Sequence, residues 1–220
     1  MSAVIECRDI SKVYTVRGKP VTALSELSFI VNAGAMCTLF CNNRLSRLAV
    51  MNILGGMEEP SGGTYLLEGV DLSTVHGDEL SFLQNSRIGH LHTQPNLIGG
   101  ISVLQNTALP LTFTDCSFNE AEDRAREVLR SLGLAGKEHL FPSALSEDEY
   151  AITALAREMC KSPAVMLING SLDRVSDAVF SRIIDGLALC RDRGCAVVCA
   201  TENKQCVQAI NSALVVNCCA

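Results

Sequence analysis

The sequence predicts an α/β fold, with a parallel sheet crossed by helices and a smaller antiparallel sheet laid beside it. Three observations carry this. First, apolar runs at Val165–Ile168, Cys195–Ala200 and Ala213–Val216 alternate with helical patterns at Asp177–Leu189 and Lys204–Ile210. That spacing builds parallel strands joined by right-handed crossovers. Second, the apolar run Met36–Phe40 passes through a polar turn into a helical pattern that ends at Gly55-Gly56. Third, strand-like segments cluster on both sides of that unit, at 3–31 and 64–72, linked by tight turns rather than helices.

In chain order, residues 3–9 read as a strand and Lys12–Val16 as a second, followed by a turn at Gly18-Lys19-Pro20. Ala23–Val31 alternates, with Leu24, Leu27, Phe29 and Val31 inward. The helix after the polar turn carries Leu48, Val50, Met51, Ile53 and Leu54 at helical spacing. Glu58-Glu59-Pro60-Ser61-Gly62-Gly63 is a loop dense in breakers, and Thr64–Leu67 is a strand. His76–Leu83 reads as a short helix, Ile88–His92 as a strand, and Val103–Leu109 as a helix closed by Pro110. Asn119–Leu132 is a helix capped by Asn119, striped by Ala125, Val128, Leu129 and Leu132, and ended by Gly133. Another helix runs from about Ser146 to Met159, with Ser146 and Glu149 spaced as a capping box.

The 220 residues suffice for one large α/β domain with a substantial core. No apolar run reaches the ~18–20 residues that span a bilayer. Glu6, Arg8 and Asp9 near the start do not fit a secretory signal, which predicts a soluble, intracellular chain. A net charge of −6 with no basic stripe argues against nucleic acid as a partner. The eleven cysteines lack metal-ligand spacing and read as buried free thiols, with Cys195, Val197 and Cys199 on one face of a strand.

Strand, polar turn and helix at 36–54 are the layout of a P-loop, G-x-x-x-x-G-K-[ST], whose backbone N–H groups cradle phosphates while Lys and Ser/Thr serve phosphate and Mg²⁺. The eight residues here are Cys41-Asn42-Asn43-Arg44-Leu45-Ser46-Arg47-Leu48. Cys41 and Ser46 replace the glycines, Arg47 keeps charge on a planar head, and Leu48 can coordinate nothing. The helix N-terminus and Asn42, Asn43, Arg44 and Arg47 leave a weak anion site as an open reading.

Further pieces recur in a fixed order: Ile10-Ser11-Lys12-Val13-Tyr14, Leu54-Gly55-Gly56, Pro60-Ser61-Gly62-Gly63, Arg87-Ile88-Gly89, Asn96-Leu97-Ile98, Val103-Leu104-Gln105-Asn106, Leu132-Gly133-Leu134, Pro142–Ser146 and Ala154-Leu155-Ala156-Arg157. Over nearly the whole chain this resembles the nucleotide-binding subunits of ATP-binding cassette (ABC) transporters, of the lipoprotein-release and macrolide-export type. The resemblance implies a single domain over 1–220. It would comprise a P-loop NTPase (RecA-like) core, an antiparallel β-subdomain and an α-helical subdomain at about 94–160.

The resemblance also assigns the altered positions. Tyr14 matches the residue that stacks on adenine, although an aromatic there also packs a sheet edge. Thr93 falls where the family has the Gln that touches Mg²⁺ and the attacking water. The LSGGQ signature reads Leu145-Ser146-Glu147-Asp148-Glu149, which puts acids where the glycines would meet the partner's nucleotide. The Walker B Asp-Glu pair reads Asn169-Gly170, leaving no general base, and the switch His reads Glu202.

Three readings follow from the resemblance. The first is a pseudo-ATPase subunit, with no cofactor expected. It would pair with a second nucleotide-binding subunit and an FtsX-like permease, peripheral on the cytoplasmic face of the membrane. The second is a working ATPase with unorthodox residues, using ATP and Mg²⁺. The third is a soluble scaffold or regulatory protein built on the same fold.

Overall fold

The computed structural model describes residues 2–92, 96–170, 175–210, 212 and 214–218. The first two strands form a long antiparallel hairpin, β1 (Ala3–Val16) with β2 (Lys19–Asn32). The two strands expected at 3–9 and 12–16 are therefore one. Asp9 takes a φ of 51° and absorbs the bend between them. Ser28 holds it there, its hydroxyl accepting from the Asp9 N–H and donating to Asp9 Oδ1. The register shifts between Cys7 and Ile10, so the interruption is a bulge rather than a strand end.

β4 (Gly62–Leu67) pairs with β1, and β5 (Val70–Asp71) with β4, giving a sheet of order β2-β1-β4-β5. Gly63 meets the bulge with a φ of 85°, and a Cβ there would overlap the carbonyl oxygens of Arg8 and Asp9. Gly63→Ala therefore combines left-handed strain with a backbone clash. We expect it to cost at least about 2 kcal/mol in a urea unfolding titration.

The second sheet is parallel and has the order β6-β7-β8-β3-β9. Its strands are β3 (Met36–Cys41), β6 (Ile88–His92), β7 (Val165–Asn169), β8 (Ala196–Thr201) and β9 (Leu214–Cys218). Side-chain alternation along these strands feeds two cores. Met166, Ile168, Cys195, Val197 and Cys199 face a helical layer. Val165, Leu167, Ala196, Val198 and Ala200 face α1 (Arg44–Leu54) and the antiparallel sheet. The inward residues expected on β2, Leu24, Leu27, Phe29 and Val31, all lie in this second core.

The helical layer holds α3 (Val103–Ala108), α4 (Phe118–Ser131), α5 (Glu147–Cys160) and α6 (Asp177–Asp192), with α2 (Gly77–Arg87) leading into β6 and α7 (Lys204–Ile210) into β9. Beyond α3 the chain tightens into a 3₁₀ turn at Leu109–Phe113 that begins with Pro110 in its first positions. α4 is capped by Ser117, not by the expected Asn119. Ser117 and Glu120, three residues apart, satisfy each other's free N–H groups, and Asn119 falls inside the first turn. The α4 stripe is buried as expected. Eight of the nine free thiols among the described residues are buried, and burial pushes Cys37 and Cys160 up to about 12. They pack as small apolar side chains.

Candidate functional site

The carboxyl ends of β7, β8 and β3 lie side by side in the parallel sheet, and α1 starts just beyond β3. Open α/β sheets bind ligands at this edge. Asn43 caps α1, its side-chain oxygen accepting from the Ser46 N–H at 2.9 Å and the Ser46 hydroxyl at 3.2 Å. Ser46 is fully buried by this arrangement, as is Cys41 at the end of β3. Asn42, Arg44 and Leu45 are exposed, and Leu48 is half-buried.

Arg47 leaves the first turn of α1 toward the neighbouring strand ends. Its Nε donates to Glu202 Oε1 at 2.8 Å, and its Nη1 donates to Asn169 Oδ1. The Arg47 side chain is 11% exposed against 39% for Glu202. Gly170 follows Asn169 with a φ of 61°, and a Cβ built there would lie 2.8 Å from Arg47 Nη1. The guanidinium thus fills the space beside the bare Gly170 backbone. Four positions singled out from the sequence, Arg47, Asn169, Gly170 and Glu202, come together in one cluster. Removing Glu202 strips a nearly buried cation of its counter-ion. Glu202→Ala is expected to cost about 1–2 kcal/mol by chemical unfolding, between the values for an exposed pair and a charged hydrogen bond.

Tyr14 is held by Lys12 and by Glu58, which no sequence motif singles out. Its hydroxyl donates to Glu58 Oε2 at 2.7 Å, and Lys12 Nζ lies 5.3 Å from its ring centroid. Burial and the bond to Glu58 push the phenol up to about 12. Burial works against the Glu58 carboxylate, but hydrogen bonds from Tyr14, Asn52 and Lys12 outweigh it and hold Glu58 below its usual range. Glu58 lies in the breaker-rich loop after α1, where nothing in its sequence context marks it as a partner of β1.

The signature positions lie apart from this cluster in their bonding. Ser146 caps α5 and forms the expected capping box with Glu149. Glu149 also pairs with Lys137 at 2.5 Å; Lys137 and Ser146 hold its carboxyl below the usual range. Glu147 and Asp148 are exposed in the same turn. Thr93 lies outside the described residues.

A feature of β6 also carries no sequence motif. His90 is 9% exposed and stacks on His92 with ring centroids 3.9 Å apart. Neither of its ring nitrogens has a hydrogen-bond partner. Its backbone N–H donates to Glu158, which also pairs with Arg157 and Lys161. Ile88 to Leu91 are all buried, so alternation along β6 does not mark residue 90.

Comparison with known proteins gives a consistent family. A model of the ABC transporter family matches residues 24–169. The chain is similar to the lipoprotein-releasing system ATP-binding protein LolD of Chromohalobacter salexigens, 28% identical over 203 residues that make up 91% of this chain and 85% of that protein. It is also similar to the macrolide export ATP-binding/permease protein MacB of Salmonella choleraesuis, 29% identical over 92% of this chain but spanning 31% of MacB. In fold it resembles the dimeric bacterial ABC transporter cassette MJ0796, with a TM-score of 0.85 over 97% of this chain and 94% of that one, at 22% identity. A second MJ0796 structure, in a post-hydrolysis state bound to ADP and Pi, gives a TM-score of 0.84.

Proposed function

This chain belongs to the ABC transporter family, and from that premise we propose that it is a non-hydrolysing cassette subunit, a pseudo-ATPase within a membrane transport complex. The observation that carries the proposal is the bridge from Arg47 to Asn169 and Glu202 beside Gly170. In the family these positions hold the phosphate-binding lysine, the Mg²⁺-supporting aspartate, the switch histidine and the water-polarising glutamate. Here Arg47 bonds to Asn169 and Glu202 and packs beside Gly170.

The donor set fits a magnesium nucleotide poorly. Leu48 presents no oxygen to a cation, and Asn169 offers a neutral amide already accepting from Arg47. Glu202 would repel a terminal phosphate. Gly170 has no carboxylate to take a proton from water. The Asn43 side-chain oxygen is engaged in capping α1, so the open anion site retains the exposed Arg44 and the backbone of the turn. Tyr14 is committed to Glu58, which favours the packing reading of that residue over adenine stacking.

As a subunit the chain would pair with a second cassette, intact or altered, and with a permease of FtsX-like type. The likeness to LolD and MacB supports that architecture. No helix among the described residues is long and apolar enough to cross a membrane, so attachment would come through the permease at the inner face.

Calorimetry of the purified chain with Mg-ATP tests the proposal. The expected result is no binding tighter than roughly millimolar, which corresponds to about 4 kcal/mol. Micromolar affinity would sink it in favour of a working ATPase with unorthodox residues. Failure to co-purify with any permease would instead favour a soluble scaffold.

A further inference from the structure

A cavity of about 410 Å³ opens between the antiparallel sheet and the C-terminal end of α1. It lies at the opposite end of α1 from the Asn43 cap, about 16 Å away at the helical rise per residue. Its floor is apolar: Ile53, Tyr65, Leu72 and Val75 line it and are buried. Tyr65 contributes its ring, because its hydroxyl is already donated to the Leu54 carbonyl.

The charged groups on the wall are Lys12, Glu58, Glu59 and Asp71. Lys12 and Glu58 cancel each other. Lys12 Nζ sits 3.2 Å from Glu58 Oε2, donates to the Glu59 carbonyl at 2.6 Å, and lies over the Tyr14 ring. Asp71 spends one carboxylate oxygen on Ser73, accepting from both its N–H and its hydroxyl. The Glu59 side chain is exposed at the mouth. A visiting molecule therefore meets an apolar floor and two carboxylates that no lysine among the described residues neutralises.

We propose that this cavity binds a small organic cation, an ammonium group on an apolar or aromatic body. Volume and lining match the usual dimensions of small-molecule sites, which are mostly apolar with a few polar groups that fix orientation. The floor takes the body and Glu59 and Asp71 take the charge. A carboxylate of the same shape is repelled, and a neutral analogue lacks the charge anchor. This site is independent of whether loop 41–48 holds a nucleotide.

Phenethylamine, protonated at neutral pH, is a suitable probe, with phenylacetate and phenethyl alcohol as matched controls. In amide-resolved NMR titrations of the full chain, the amine is expected to bind saturably at roughly millimolar concentration, as befits a fragment. Shifts should concentrate at Ile53, Leu72 and Val75. The double variant Glu59→Gln, Asp71→Asn should weaken binding about tenfold. Leu80→Trp, which enlarges a half-buried wall residue without changing charge, should block it. Equal binding of phenylacetate, non-saturating shifts spread over surface carboxylates, or unchanged affinity in both variants would overturn the proposal.

Discussion

A chain carrying Cys41→Gly, Ser46→Gly, Arg47→Lys, Leu48→Thr and Glu202→His is expected to bind Mg-ATP about a thousandfold more tightly than the natural sequence. The lysine and the threonine hydroxyl each restore a charge-assisted contact of about 1.5–3 kcal/mol, and each ~1.4 kcal/mol is tenfold in affinity. Lysine cannot span Asn169 and Glu202 as the guanidinium fork does, so the change also frees the strand ends. Calorimetry reads the result, and a gain below about tenfold would mean that the loop backbone, not its side chains, sets the affinity. Hydrolysis should stay at background, since no carboxylate follows Asn169. Adding Gly170→Glu is uphill, because the backbone there has a φ of 61° and the side chain enters space held by Arg47 in the natural sequence.

The second large effect concerns acid. Burial, and then the nearby His92, lower His90 from 6.5 to about 4, against the pull of Glu158 and with Lys161 reinforcing the change. Arg157, on the same helix as Glu158, faces the pair as well. The unfolded chain takes up this proton near its ordinary value, while the folded chain resists it. Stability is therefore greatest above about pH 6.5 and falls as the pH drops toward 4. The full difference is about 3 kcal/mol, since each tenfold loss of proton affinity on folding is worth about 1.4 kcal/mol. His90→Phe keeps a flat ring against His92 and removes the titration. Urea midpoints of the two proteins, compared from pH 7 to pH 4, should diverge steadily in favour of the variant. Parallel curves would show that His90 is not desolvated as the structure has it.

The sequence and the structure agree where a local pattern decides the outcome. Cys195, Val197 and Cys199 alternate in sequence and share one core. Ser146 and Glu149 declare their capping box by spacing alone. The misses lie where a local rule has two solutions. Asn119 is a good cap, yet Ser117 has a glutamate three residues on, and reciprocal bonds decide it. Asp9 resembles a strand end until Ser28, nineteen residues away, is seen to hold the bulge. In the candidate site, resemblance to a family locates Arg47, Asn169, Gly170 and Glu202 one at a time. Their mutual bonding requires the sheet order, which sets β7, β8 and β3 next to one another although residues 47 and 202 are 155 apart in sequence. Glu58 and His90 have no motif to announce them, because their partners are set by packing.

The Arg47–Glu202 pair has a kinetic and thermodynamic consequence for any free anion in the surrounding solution. Glu202 behaves as a competitor that never diffuses away. Its effective concentration at the guanidinium is set by the fold, and intramolecular partners of this kind reach at least about millimolar. A nucleotide or phosphate must displace that carboxylate before it gains anything from Arg47. The apparent affinity of this strand edge for an anion is therefore lowered in proportion to the fraction of chains in which the pair is open.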